Sequence, residues 1–133
     1  MVRTISLAPV LLVLAALAMT GCQQQPDGYP ISGNVTYQGK PVPRGTLLLR
    51  PDSQKGNSGP GVMFDIVDGA YKTTRENRSV HQGGAYKVQI HGFDGNAKPN
   101  SELPLGQMLF SNYSTSVELP NEEATGIDFE VKK

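Results

Sequence analysis

The chain has 133 residues, enough for one folded domain, and its 12 basic and 12 acidic residues cancel to a formal net charge of zero. That balance excludes the basic footprint of a nucleic-acid binder and the polybasic patch that holds proteins to anionic lipid. With 15 Gly, 10 Pro and a single Cys the chain reads as turn-rich, and an intramolecular disulfide is excluded.

The first segment is apolar from Ile5 to Met19, broken only by Ser6 and Pro9, and follows the cation Arg3. It is too short for a comfortable membrane span, which needs about 20 apolar residues, and suits the helical h-region of an export signal. The sequence Met19-Thr20-Gly21-Cys22 then resembles the lipobox of bacterial lipoproteins, with Met19 standing where Leu is more usual. The resemblance implies cleavage after Gly21 and acylation of the Cys22 thiol. Cys22 is also the only cysteine, and a lone thiol in an exported protein calls for such an explanation. Residues 1–21 are therefore expected to be a lipoprotein signal peptide and residues 22–28 a polar, flexible tether carrying the lipid. Gln23, not Asp, follows Cys22, which by the lipoprotein sorting rule implies an outer-membrane anchor facing the periplasm.

Residues 29–133 read as strands. Ile31, Gly33, Val35 and Tyr37 alternate with polar neighbours, the period of a half-buried strand. Residues 39–45, with two prolines and two glycines, read as a rigid connection. A second strand covers 46–50 and stops at Pro51; residues 52–60 read as a solvated loop. Val62, Phe64 and Ile66 mark a third strand, and Asp68-Gly69 a type I′ hairpin turn into a fourth at 70–74. Tyr86, Val88 and Ile90 mark a fifth strand, Tyr113, Thr115, Val117 and Leu119 a sixth, and Ile127, Phe129 and Val131 the last. About seven alternating strands in roughly a hundred residues predict an all-β, seven-stranded antiparallel Greek-key sandwich of the Ig-like kind. Its predicted core is Ile31, Val35, Tyr37, Leu47, Leu49, Val62, Phe64, Ile66, Tyr71, Tyr86, Val88, Ile90, Val117, Leu119, Ile127, Phe129 and Val131.

The run Gly33-Asn34-Val35-Thr36-Tyr37-Gln38-Gly39-Lys40-Pro41-Val42-Pro43-Arg44-Gly45-Thr46, the Asp68-Gly69-Ala70-Tyr71 hairpin and Gly84-Ala85-Tyr86-Lys87-Val88-Gln89-Ile90 resemble carboxypeptidase regulatory-like (transthyretin-like) domains. The usual Pro before the last motif is Gly83 here. The resemblance covers residues 29–133. It implies a prealbumin-like sandwich without catalytic activity, whose motif residues are structural.

Candidate chemistry is sparse. His81 reads as a loop residue at the surface and His91 as lying on the polar face of its strand, with no metal-ligand spacing between them. No Ser sits in a nucleophile elbow, and Asp65 and Asp68 are accounted for by a strand's outer face and a turn. Related sandwiches host hydroxyisourate hydrolases, which end in Tyr-Arg-Gly-Ser, whereas this chain ends Phe129-Glu130-Val131-Lys132-Lys133. Intradiol dioxygenases use two Tyr and two His, a set not assembled here. No catalytic, cofactor or metal residue is predicted. The stretch 92–110, longer than the roughly 12–15 residues usual for an unstructured loop, carries Phe93, Leu103, Leu105, Met108, Leu109 and Phe110. It reads as a ligand or partner surface, as a cap on the open end of the sandwich, or, for Met108 to Phe110, as the start of the next strand. The expected function is a lipid-anchored structural or protein-interaction module of the cell envelope. A carbohydrate- or small-ligand-binding module is the alternative, disfavoured by the absence of Trp.

Overall fold

The computed structural model describes residues 28–76 and 79–133. Cys22, the signal segment and residues 22–27 of the tether lie outside the described residues. The domain is all-β: β1 (Ser32–Tyr37), β2 (Lys40–Pro41), β3 (Arg44–Pro51), β4 (Val62–Val67), β5 (Ala70–Lys72), β6 (Gly84–Phe93), β7 (Met108–Leu119) and β8 (Phe129–Val131), with one 3-10 turn at Ser53–Lys55.

The strands form one curled sheet ordered β7–β6–β3–β4–β5–β1. Strand β1 changes neighbour halfway. Its first half pairs with β5 (Gly33 opposite Tyr71) and its second half with β2 (Thr36 opposite Pro41). On the opposite edge of β1 runs the C-terminal segment, ending in β8. Two expectations are corrected here. The β1/β8 pair is parallel, Val35 opposite Phe129, so the sheet is not purely antiparallel. The segment after Gly39 is also not a mere connection, because Lys40 and Pro41 form a short ladder. Pro41 is tolerated because so short a strand makes few ladder bonds.

The hairpin turns explain the registers. Asp68 and Gly69 have φ of 51° and 78°, the paired positive values of a type I′ turn. Gln38 and Gly39 repeat them at 51° and 77°, although Gln is not a residue that announces such a turn. Between β6 and β7 the register slips twice, around Gly92. The extra residue Asn112 takes a φ of 59° there, and its N–H donates to His91 Nδ1 at 3.4 Å. These bulges increase local twist and help curl the sheet.

The alternating residues meet inside the curl. Ile31, Val35, Leu47, Leu49, Ile66, Val88, Ile90 and Val131 are all at most 2 % exposed. Each such side chain contributes about 1.5–3 kcal/mol by leaving water. Phe64, Tyr71 and Phe129 stack through the core with centroids 6.0 and 6.3 Å apart. The two ends of the sheet meet where Tyr113 on β7 donates its hydroxyl to the Glu130 carbonyl at 3.3 Å.

Gly33 sets how closely the C-terminal segment can lie against β1. A Cβ there would collide with the carbonyl of Ile127. That same carbonyl accepts the Tyr71 hydroxyl at 2.6 Å, so it has no free direction in which to retreat. Gly33→Ala is expected to destabilise the domain by about 1–3 kcal/mol through overpacking. Asp65→Ala, on an exposed outward position of β4, should stay within about 0.5 kcal/mol; equilibrium urea unfolding measures both.

Candidate functional site

The described chain enters at one end of the sheet and presents its apolar surface at the other. At the entry end, Tyr29 and His81 exchange backbone hydrogen bonds at 2.7 and 3.0 Å, and Ile31 bridges Ala124. Strand β1 then carries the chain about 20 Å away, at roughly 3.3 Å per residue, to Tyr37.

The entry end holds buried polar residues that sequence reading placed at the surface. His81 is fully buried, at 0 % exposure, and not a surface loop residue. Its Nδ1 accepts the Gly83 N–H at 3.1 Å, which fixes the neutral ring with its proton on Nε2. That Nε2 has no well-aligned acceptor, although the carbonyls of Pro30 and Glu122 lie near it. Burial pushes the His81 pKa below its ordinary value, and those two carbonyls only partly oppose the shift. Asp52, expected in a solvated loop, is 4 % exposed. It caps the 3-10 turn through the Gln54 N–H at 3.1 Å and faces Lys87 at 3.6 Å. These positions carried no sequence signal, because a polar residue between strands looks the same whether a loop folds inward or outward.

Histidine chemistry is not assembled. His91 lies on the outward face of β6 opposite Thr46, whereas His81 is packed under Tyr29 with ring centroids 5.7 Å apart. Among the described residues no group of three His, Cys, Asp or Glu could hold a metal ion. Asp65 and Asp68 are exposed. Tyr71 is held as a neutral donor: burial raises its pKa far above the ordinary phenol value, and the Asp128 carboxylate adds to the effect.

The far end is different. A cleft of about 270 Å³ is lined by Tyr37, Gln38, Lys40, Pro41, Pro43, Asp94 and Leu109. The Tyr37 ring in its lining packs on the Phe110 ring, with centroids 4.9 Å apart. Leu109 in its lining is 38 % exposed, and Val67 (47 %) and Met108 (55 %) align with it at this end through Arg44 and Phe93; Leu103 (52 %) lies in the loop after β6, and Met63 (59 %) farther along β4. Arg44, opposite Val67 on one side and Phe93 on the other, keeps Nη1 buried with no hydrogen-bond partner.

Of the readings offered for 92–110, the strand reading holds for its ends. Strand β6 runs on to Phe93 and β7 begins at Met108. Phe110 packs against the core, whereas Phe93 takes the outward parity of β6. The remaining loop, 94–107, is pinched at its base. Asp94 N–H donates to Gln107 O at 2.9 Å and Gly95 N–H to Leu105 O at 3.0 Å. The Asp94 carboxylate accepts the N–H groups of Asn96 and Gln107, both at 2.9 Å. The Asn96 N–H is the main reason its pKa lies below the ordinary carboxyl value. No family model matches this chain, and no curated protein matches it.

Two outcomes follow. A buried neutral His81 means that the unfolded state binds the proton more readily. Stability is then complete above about pH 6.5 and declines as pH falls toward the lowered native value. Thermal melts between pH 7.5 and 5 should show this loss, and His81→Asn, which keeps an acceptor near Nδ1, should remove it while His91→Asn should not. Asp94→Ala should speed hydrogen exchange at the Asn96 and Gln107 amides by about tenfold, while exchange in β3 stays unchanged.

Proposed function

We propose that this chain is a lipid-anchored envelope lipoprotein whose β-domain is a non-catalytic module for docking another protein. In this reading the export signal is cut before Cys22, the Cys22 thiol is acylated, and residues 23–28 hold the domain off the membrane, on the outer membrane's periplasmic face. The domain is a carboxypeptidase regulatory-like, Greek-key sandwich. The residues that resemble that family support this assignment by their positions: they supply β1 and its Gln38-Gly39 turn, the Asp68-Gly69 hairpin and most of β6.

The observation that carries the docking role is the exposed apolar rim formed by Val67 and Met108, aligned through Arg44 and Phe93, beside a cleft lined by Leu109. Apolar side chains gathered on one surface mark an interaction site more than singly scattered ones do. The rim lies at the end of β1 opposite the one where residue 28 enters, so a domain tethered through Cys22 turns it away from the bilayer.

Metabolic labelling with an alkyne palmitate analogue should mark the wild-type protein and leave Cys22→Ala unlabelled and released from the membrane fraction. A photo-crosslinking residue introduced at Leu109 should give one discrete adduct in intact cells, absent when the crosslinker stands at Asp65. Unchanged membrane association of the Cys22 variant would remove the anchor from this reading, and matching adducts from both positions would remove the docking surface.

A further inference from the structure

The longest strand, β7, has only β6 as a backbone neighbour among the described residues. Its inward side chains reveal the open side. Tyr113, Thr115 and Val117 are half-exposed, while the residues opposite them on β6, Ile90, Val88 and Tyr86, are buried. The two sets stand at the same depth in the sheet and differ in lateral cover. The usual guards of an open edge are thin here: 111–119 contains no Lys, Arg or Pro and one charge, Glu118, near its end, and the bulge at Asn112 leaves 113–119 regular.

A second observation falls on the same residues. A cleft of about 280 Å³ on the outer face is lined by Arg50, Lys87, Gln89, Ser114, Thr115 and Ser116. Arg50 and Lys87 stand directly opposite each other across β3 and β6, an arrangement that like-charge repulsion disfavours. Lys87 is partly offset by Asp52 at 3.6 Å. Arg50 makes no ion pair among the described residues. The cleft therefore offers two cations, a carboxamide and hydroxyls beside an unpaired strand edge.

We propose that β7 accepts an extended acidic segment of a partner protein as an added strand, its backbone on the free edge of β7 and a carboxylate in the Arg50/Lys87 cleft. This rests on the protein-docking reading and names the chemistry of the partner. Strand addition draws affinity from main-chain hydrogen bonds and specificity from side-chain sites beside them. A small free anion satisfies the cleft and leaves the edge open. A second copy of β7 brings mainly hydroxyls and the single carboxylate of Glu118, so self-pairing is a distinct outcome of the test.

The test uses the full chain in detergent micelles and a synthetic peptide of alternating valine and glutamate. The peptide should slow hydrogen exchange at β7 amides by at least about tenfold, and added salt should weaken it. Arg50→Gln, at an exposed position, should reduce its affinity by about tenfold while leaving the exchange pattern of the free protein unchanged. Equal binding of a valine–lysine peptide overturns the proposal, because the edge would then lack charge selection. Binding of the glutamate peptide without protection of β7 overturns it in favour of an anion site alone. Protection of β7 that rises with protein concentration and no peptide overturns it in favour of self-pairing. None of these outcomes touches labelling at Cys22 or crosslinking from Leu109, so failure here is separable from failure of the docking reading.

Discussion

A carbonyl pressed against a glycine determines how this sheet curls. Ile127 O sits where a Gly33 side chain would be and is held there by the Tyr71 hydroxyl. That contact fixes the C-terminal segment on one edge of β1 while β5 and then β2 occupy the other. Strand β1 is thereby enclosed on both sides along its length. The aromatic stack through Phe64, Tyr71 and Phe129 follows, since Phe129 reaches the core only if the segment after Ile127 lies this close.

Enclosing β1 leaves the opposite end of the sheet order open. Strand β7 meets the rest of the fold across β6, through the Phe110 ring on Tyr37 and through the Tyr113 hydroxyl, and its inward residues from Tyr113 to Val117 stay half-covered. The polar interior is likewise gathered at one end, where His81, Asp52 and Thr73 are buried with backbone partners. Their bonds tie the loops of the entry end to the strands. The far end exposes Val67, Met108 and Leu109. This division separates the end that maintains the fold from the end and edge free to meet another molecule.

The strands were legible because each carries period two, from Val35 through Ile66 and Val88 to Val131, and one face of each is buried. The Asp68-Gly69 turn was legible because its φ values demand those residue types. The turn at Gln38-Gly39 was not, since Gln is placed there by the strands it joins. Val42 is fully buried, yet it lies among prolines with no period to follow. Neither the far-end cleft nor the Arg50/Lys87 cleft was visible, because their residues come from segments distant in sequence. The apolar residues of 92–110 stand out in the sequence, though only the β6/β7 register shows which of them extend strands.

By itself, the sequence determined an all-β domain, most residues of its core, one turn and the lone thiol of Cys22, because these depend on local alternation, local φ or a count. Only the tertiary structure decided the parallel β1/β8 pair, the burial of His81 and Asp52, and the exposure of β7. Each of these turns on which segments come to lie side by side. Contacts such as Gly33 with Ile127, or Arg50 opposite Lys87, join residues whose own neighbours along the chain carry no trace of the other.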